Sequence, residues 1–372
     1  MKFVVSSKYL LTNLQGLVKV VSSKNTLPVL DNFLFSLSGN NLRVTASDLE
    51  ITATIRMDID GAPDDSMAII PAKLLLSTLK ELDDEPVVIE VDSTTYKGSI
   101  KTEDGLFCFM SGDYNDFPKF TESGFKNNVV ISSDVLTIGI SQTIFAAGID
   151  ELRPIFSGVL LDMKPGNTTF VATDAHKLAL YEINNGEYAG ECQLVLPRKT
   201  AMVLQTLLDK LSFDVSLKWD DKECKIEFGD VAIRTRLVEG TFPNYRAVLP
   251  HDRSIISVVN RKNLLDVVKR VSLYSNKAAD LLKMSFKLGL IEVSSQDIDL
   301  SISATEKIGC NLDGDSIDIG FKSSYIREIL SRVKSTNIQI EMNEPNRAAI
   351  FIPDEEEEGV HYLNLLMPMM IS

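Results

Sequence analysis

The residues 240–250 read GTFPNYRAVLP, and this stretch decides how the rest of the chain is divided. Two prolines and a glycine exclude a helix interior or a central strand, because proline has no backbone N–H and fixes its own φ angle. The stretch therefore predicts a rigid, extended connector that ends one module and begins the next.

Two related proline-containing segments lie at equal distances on either side of this connector. Phe117-Pro118, Phe242-Pro243 and Met367-Pro368 follow one another at steps of 125 positions. A fixed period is the signature of tandem repeats, and about 124 residues is enough to bury a core. The 372 residues therefore predict three domains, at 1–125, 126–250 and 251–372.

Each third of the chain begins with a short apolar strand followed by an amphipathic helix. Ser6 or Ser7 is the expected N-cap of the first helix, and Asn260 is that of the third. Apolar residues then recur at helical spacing. The equivalent first positions of the three apolar faces are Leu10, Leu136 and Leu264.

Alternating strands and a second helix follow in each copy. The strand pairs are expected at 42–55, 168–183 and 290–304, and the second helices at 71–82, 197–211 and 321–333. A polar break divides each strand pair at a hairpin corner or bulge, at Ser47-Asp48, Thr173-Asp174 and Ser295-Gln296. The predicted fold is α+β, with three tandem copies of a domain of two helices and antiparallel sheet.

The charge of the chain is divided unevenly between helices and strands. The net charge of −14 by itself argues against nucleic-acid binding, which needs basic residues. The six helical segments, however, carry 17 basic and 5 acidic residues, and the remainder of the chain has a net charge of −26. Helix propensity alone could explain the basic residues of any one helix, because Lys and Arg are good helix formers. The first helix of the second domain is an exception, since it has no basic residue. The whole set favours a helical surface that faces a polyanion.

Helix dimensions limit what one chain could enclose. Six helices of about 10 Å diameter, set side by side in a circle, leave a hole of about 9 Å, whereas twelve leave about 28 Å. The smaller hole is narrower than a major groove of about 12 Å. Two chains are therefore needed if the helices surround duplex DNA.

Two other function classes compete with a DNA-binding ring. An enzyme could use Asp174 with His176, or Asp48 with Glu50, but the chain has three histidines and no HExxH, P-loop or nucleophile elbow. The recurrence of Asp48 and Asp174 favours a structural corner, so we expect neither catalysis nor a cofactor or metal. A homo-oligomeric scaffold without nucleic acid remains open.

Four scattered cysteines suit reduced thiols, and neither a signal peptide nor a membrane-spanning run is expected. The protein is therefore expected in the cytoplasm, without membrane contact. The acidic run at 354–358 is most simply a solvated loop.

The chain resembles the bacterial DNA polymerase sliding clamps, the beta subunits of the replicative polymerase III holoenzyme. The resemblance covers the whole chain and rests on TLPVLDNFLF (26–35), VATDAHKLAL (171–180), LPRK (196–199), GTFPNYRAVLP (240–250) and MPM (367–369). It implies a non-catalytic processivity factor, in which a homodimeric ring encircles double-stranded DNA without reading its sequence. It also implies partners that bind through short linear peptides, namely the polymerase catalytic subunit, the clamp loader and repair polymerases.

The resemblance implies a peptide pocket between the second and third domains. Its residues would be Phe156, Thr173, Ala175, His176, Lys177, Leu178, Pro243, Val248, Tyr325, Ala349, Leu366, Met367, Pro368, Met369 and Met370. Apolar and methionine side chains can adapt to several partner peptides. The family usually has Gly at Ala175, Arg at Lys177 and Arg-Leu at the end of the chain, and some members have a basic residue at Ala247. These departures predict a more apolar pocket.

The resemblance also implies DNA contacts and a ring interface. The DNA contacts would be Lys24, Lys73, Arg153, Arg198 and Lys199, whereas Pro154 and Ile155 replace tyrosines that lie near DNA in some relatives. In the interface, Phe107 and Phe109 of one chain would meet Leu273 and Tyr274 of the other, with Leu282 as a further candidate. Alternation along FCF points both phenylalanine rings to one side.

Overall fold

The computed structural model describes residues 1–21, 25, 27–59, 65–119, 124–150, 152–184, 191–208, 213–250 and 252–371. These residues form six α-helices and 25 strands. The helices are α1 (Ser7–Leu14), α2 (Ala72–Glu81), α3 (Ser133–Thr143), α4 (Arg198–Leu207), α5 (Arg261–Val271) and α6 (Ser323–Arg332).

The strands are β1 (Lys2–Ser6), β2 (Asn32–Ser38), β3 (Asn41–Ser47), β4 (Ile51–Asp58), β5 (Ser66–Pro71), β6 (Pro86–Val91), β7 (Lys97–Lys101), β8 (Leu106–Met110), β9 (Asn127–Ser132), β10 (Gly158–Lys164), β11 (Asn167–Thr173), β12 (Lys177–Ile183), β13 (Cys192–Pro197), β14 (Asp214–Trp219), β15 (Glu223–Phe228), β16 (Val231–Arg236), β17 (Ile255–Asn260), β18 (Leu281–Lys287), β19 (Leu290–Asp297), β20 (Ile302–Gly309), β21 (Asn311–Asp313), β22 (Ile317–Lys322), β23 (Asn337–Met342), β24 (Ala349–Pro353) and β25 (Val360–Leu366).

The chain divides into two compact units. Unit 1 comprises 1–137 and 199–237, and unit 2 comprises 138–198 and 238–372. Unit 1 has an eight-stranded sheet in the order β5-β2-β3-β4-β16-β15-β14-β9 and a four-stranded sheet in the order β1-β6-β7-β8. Unit 2 has a nine-stranded sheet in the order β13-β10-β11-β12-β25-β24-β23-β17-β21 and a four-stranded sheet in the order β20-β19-β18-β22.

The strand orders show the same pattern three times. Each repeat supplies one half-sheet of its first, sixth, seventh and eighth strands and another of its second to fifth strands, as in β1-β6-β7-β8 and β5-β2-β3-β4. The short strand β21 is an addition in the third repeat. Every pairing recorded between these strands is antiparallel, so the α+β prediction with three tandem copies is confirmed.

The opening helices are capped and buried as the sequence predicts. The Ser6 side chain accepts a hydrogen bond from the Tyr9 N–H, and the Asn260 side chain accepts one from Asn263. Leu10, Leu136 and Leu264 are fully buried. The first helix is shorter than its apolar face, because it ends at Leu14 and a 3-10 turn at 17–19 continues the buried face.

Aspartates form the hairpin corners in all three repeats. A carboxylate oxygen of Asp48 accepts from the Ile51 N–H at 2.8 Å, and one of Asp174 accepts from the Lys177 N–H at 2.8 Å. Asp297 accepts from the Leu300 N–H at 3.1 Å in the third copy. The prediction of a break at 295–296 is therefore wrong, since β19 continues to Asp297 before the chain turns.

The connector at 240–250 lies outside the strands, as its prolines require. It contains one 3-10 turn at Tyr245–Val248. Phe242 and Tyr245 are buried against strands of unit 2, where they join Leu178, Leu365 and Ile350 in one apolar cluster. The connector is thus anchored by its two aromatic rings.

Candidate functional site

A buried ammonium group lies at the corner between β11 and β12. The Lys177 Nζ is 2.7 Å from a carboxylate oxygen of Glu328 on α6 and 3.4 Å from one of Asp174. It also lies 3.9 Å from the ring centroid of Tyr325, a distance that allows a cation–π contact. Only 6% of the Lys177 side chain is exposed, so these partners replace water around the charge.

The phenol of Tyr325 belongs to the same cluster of groups. Burial, followed by the charge of the Asp174 carboxylate, raises the pKa of Tyr325 to about 12. The Lys322 Nζ lies 4.9 Å from the centroid of the same ring. The corner therefore combines two cations, a neutral phenol and two carboxylates in unit 2.

These groups border a cleft of about 410 Å³ that we call the Lys177 cleft. Four residues expected in the peptide pocket line it, namely Phe156, His176, Lys177 and Tyr325. Two expected DNA contacts, Arg153 and Arg198, line it as well. Sequence reasoning missed Asp150, Lys322 and Glu328 in this lining. Glu328 could have been noticed as the single acidic residue of its helical segment.

A second group of expected pocket residues lies on the connector and the apolar cluster. Leu178 belongs to the cluster, while Pro243 and Val248 are exposed on the connector. The rings of Phe156 and Phe242 meet edge to face with their centroids 6.3 Å apart. This contact makes the apolar group continuous with the Lys177 cleft.

The end of the chain is held beside the same corner. The Met367 N–H donates to the His176 carbonyl at 2.8 Å, and the Met369 N–H donates to the Gly320 carbonyl at 2.7 Å. A Cβ at Gly320 would lie 2.7 Å from the Met369 carbonyl oxygen, so this approach requires glycine. Met370 is 95% exposed, and Pro368 is partly exposed.

Other expected pocket residues are buried beneath the site and stabilise it. The Thr173 hydroxyl donates to the Lys177 carbonyl at 2.7 Å and accepts from the Ala175 N–H at 3.0 Å. Ala349 and Leu366 are fully buried and directly opposite each other on β24 and β25. Their side chains therefore belong to the core of unit 2 rather than to the surface of the cleft.

The corner residue Ala175 has a backbone conformation that favours glycine. Its φ angle is +73°, and Leu49 at the equivalent corner of the first repeat has a φ of +78°. An L-residue in this left-handed region costs about 1 to 2 kcal/mol. A glycine would adopt the same angle without this cost.

The expected DNA contacts have different local environments. Lys73 is exposed on α2, and Arg153 is exposed beside Asp150. The Arg198 guanidinium donates to the Ala147 carbonyl at 2.8 Å. The Lys199 ammonium donates to the Val20 carbonyl at 2.6 Å and pairs with the Asp48 carboxylate. Lys24 lies outside the described residues.

Three of the expected ring-interface residues are exposed on their units. Phe107 on β8 is 42% exposed and Phe109 is half-buried, with the Phe109 ring lying over Gly98. Leu273 is 76% exposed and Tyr274 is 42% exposed. Leu282 is fully buried in unit 2, so its expected place in an interface is wrong. Its side chain faces the core of its own sheet.

Comparison with protein families decides the affiliation of the chain. Three models of the DNA polymerase III beta subunit match it, with the N-terminal domain at residues 1–121, the central domain at 130–244 and the C-terminal domain at 246–370. The chain belongs to the DNA polymerase III beta subunit family. Members of this family, the sliding clamps, are non-catalytic processivity factors of DNA replication.

Individual relatives are similar over the full length. The chain is 26% identical to the beta sliding clamp of Pseudomonas aeruginosa, with both chains completely covered. The crystal structure of the DNA polymerase III subunit beta from that organism matches with a TM-score of 0.89 over the whole of both chains. A sliding clamp from Bartonella birtlesii, solved bound to griselimycin, matches with a TM-score of 0.92 and 25% identity over both whole chains.

The carboxylates that suggested an enzyme have structural partners in this clamp-family chain. Asp174 accepts from the His176 and Lys177 N–H groups, and Asp48 accepts from the Glu50 and Ile51 N–H groups. Across the described residues, no group of three or more His, Cys, Asp or Glu side chains could hold a metal ion. The α-helices of the described residues are at most 11 residues long, which is too short to cross a membrane.

Proposed function

We propose that two copies of this chain close head to tail into a ring that encircles duplex DNA. The ring slides along the duplex and tethers the replicative polymerase and other DNA-processing proteins. The observation that carries this proposal is the way strands pair between successive repeats. The same pairing pattern leaves one edge strand open in the first repeat and one in the third among the described residues.

The rule is the same at both internal junctions. In unit 1, β4 of the first repeat pairs with β16 of the second. In unit 2, β12 of the second repeat pairs with β25 of the third. The strand that follows the hairpin corner thus always pairs with the last strand of the next repeat.

Two strands in these positions remain. Strand β20 follows the hairpin corner of the third repeat, and β8 is the last strand of the first repeat. Both are edge strands of four-stranded sheets among the described residues. An open edge presents unpaired N–H and C=O groups and favours association with another strand. If β8 of each copy pairs with β20 of the other, the rule is satisfied at every junction and the ring closes. Phe107 and Phe109 on β8 would then meet Leu273 and Tyr274 of the partner.

The charge of the helices supports DNA as the enclosed ligand. Basic residues outnumber acidic residues on the helical segments of a chain whose net charge is −14. The proposed contacts attract phosphates without reading bases, and they are Lys24, Lys73, Arg153, Arg198 and Lys199. Twelve helices leave a hole wide enough for a duplex, by the helix dimensions given above.

The Lys177 cleft, the connector and the exposed terminal methionines form the proposed site for partner peptides. An apolar anchor would lie on the side of Leu178, Pro243 and Val248, where methionines can adapt to it. The polymerase catalytic subunit, the clamp loader and repair polymerases are the proposed partners. The domain boundaries proposed for this arrangement are 1–125, 126–250 and 251–372, and the proposed location is the cytoplasm, where the chromosome of a bacterium lies.

Sedimentation at low micromolar concentration tests the ring first. We expect twice the chain mass of 41.2 kDa. After loading, closed circular DNA should retain the protein, and cutting the circle should release it. A monomer at every concentration would contradict the ring. A dimer that does not stay on circular DNA after loading would favour a scaffold that does not enclose nucleic acid.

A further inference from the structure

The outward face of the eight-stranded sheet in unit 1 differs from its counterpart in unit 2. Thr52 and Thr54 of unit 1 occupy the hairpin positions that Leu178 and Leu180 occupy in unit 2. In unit 2 those leucines belong to the apolar cluster under the connector. Unit 1 therefore has the same scaffold with a polar face.

Cations lie directly opposite one another across this face. Lys218 is paired in register with Lys225, which is paired with Arg234 on the next strand. Arg43 is paired in the same way with Arg56. Like charges in directly opposite positions are destabilising. Such an arrangement in a chain of net charge −14 indicates that the positive face has a use other than stability.

Carboxylates compensate only part of this charge. Glu227 binds the ammonium groups of Lys218 at 2.8 Å and Lys225 at 2.7 Å, and Glu223 pairs with Arg234. Arg43 and Arg56 are exposed. Among the described residues, neither arginine has a carboxylate within 4.0 Å. The face thus keeps a positive charge that an acidic ligand could neutralise.

A groove of about 780 Å³ lies against this face. Arg43 and Lys119 contribute charge to its lining. Its apolar lining includes Met67, Tyr114 and Phe125, and Met67 is 40% exposed. Thr45 and Thr54 also line the groove, and their hydroxyls form a hydrogen bond of 2.9 Å. The groove therefore offers both cations and an apolar recess.

We propose that this groove binds an acidic linear peptide that carries an aromatic or aliphatic anchor. The acidic side chains pair with Arg43, Arg56 and Lys119, and the anchor enters the recess beside Met67. A recess of this volume holds side chains of a peptide but not a duplex, whose major groove alone is about 12 Å across. This site is separate from the Lys177 cleft and does not depend on ring closure.

The test uses a fluorescein-labelled ten-residue peptide of Glu and Asp with a central Phe-Leu pair, added to the full-length protein. We expect a saturable rise in anisotropy at 50 mM salt that weakens at 200 mM. Arg43→Glu should reduce the affinity about tenfold, because it replaces an attraction with a repulsion. We expect this variant to fold, because the new carboxylate would lie directly opposite Arg56. The matched charge reversal Lys287→Glu, in unit 2, should leave the affinity unchanged.

Several outcomes would overturn the proposal. One is the absence of saturable binding at millimolar protein, and another is an equal loss of affinity in Arg43→Glu and Lys287→Glu. Loss of binding in Val248→Asp would place the peptide at the connector instead. Displacement of the peptide by oligothymidylate at lower concentration than by unlabelled peptide would identify the groove as a single-stranded DNA site.

Discussion

The Lys177 ammonium lies 2.7 Å from a Glu328 carboxylate oxygen, although 151 positions separate the two residues in the sequence. This ion pair joins the second repeat to the last helix of the third within unit 2. The Lys177 side chain is 6% exposed and that of Glu328 is 44% exposed. One charge of the pair is thus buried, and the other can still be solvated.

The first prediction concerns this pair. We expect Lys177→Met to lower the free energy of unfolding by about 2 to 3 kcal/mol, because it leaves Asp174 without its cation in a mostly buried position. This loss of stability is smaller than that expected for a fully buried ion pair, because the Glu328 carboxylate can still be solvated. Urea denaturation at pH 7 measures it. Lys287→Met, at an exposed lysine, should change stability by less than about 0.5 kcal/mol. Equal effects of the two variants would contradict the prediction.

Ala175→Gly should stabilise the protein. The φ angle of +73° is strained for alanine and free for glycine, so we expect a gain of about 1 kcal/mol after the entropy cost of glycine. The opposite sign is expected for Ala201→Gly within α4, with a loss of about 1 kcal/mol. Thermal and urea unfolding of the two variants provide the comparison. A destabilised Ala175→Gly would show that the corner does not require a left-handed residue.

Glu227 should make folding stability depend on pH. Hydrogen bonds from Lys218 and then Lys225 hold the pKa of its carboxyl below the ordinary value of 4.5. A lowered pKa in the folded state stabilises the protein above pH 4.5, and this contribution is lost as pH falls through the folded pKa. Glu227→Gln should therefore cost about 1 kcal/mol at pH 7 and progressively less as the pH falls below 4.5. Urea midpoints measured across this range test it, with the exposed Glu103→Gln as control.

Two lysines predicted near DNA should behave differently. Lys73→Ala should leave stability unchanged and reduce the slope of log affinity against log salt by about one, because one phosphate contact is lost. Lys199→Ala should also cost about 1 to 2 kcal/mol of stability, since the Val20 carbonyl loses its donor and Asp48 its cation. Salt titrations and urea unfolding separate the two effects. A Lys199→Ala variant of unchanged stability would show that its internal contacts contribute little.

Phe107→Asp should convert the dimer into a monomer. A charge on the open edge strand β8 would have to be buried without a partner, which opposes strand pairing. Sedimentation of the variant should give a mass near 41.2 kDa at concentrations where the parent protein dimerises. Leu288→Asp changes a residue that is 85% exposed in a hairpin turn and should remain dimeric. A dimeric Phe107→Asp protein would remove β8 from the interface.

The sequence predicted the repeat, the helix caps and two of the three hairpin corners. The repeat shows as a period of 125 positions along the chain. The caps and corners depend on residues within a few positions of one another, such as Ser6 with Tyr9 or Asp174 with Lys177. The third corner was misplaced because Ser295 and Gln296 continue the alternation of β19, so polarity alone did not mark the turn. Leu282 was assigned to an interface although it shares a strand face with Met284 and Phe286, an apolar alternation that already points to the core.

The sequence by itself determined that one α+β plan is used three times and that the helical segments together carry an excess of basic residues. Period, capping and charge can all be read along the chain. Only the tertiary structure decided which strands remain unpaired, which residues surround Lys177, and that one sheet face is cationic where its counterpart is apolar. The physical reason is that these properties arise from contacts between residues far apart in the chain. Such contacts depend on which strands and helices pack together in the folded chain, and a local pattern does not name the distant partner.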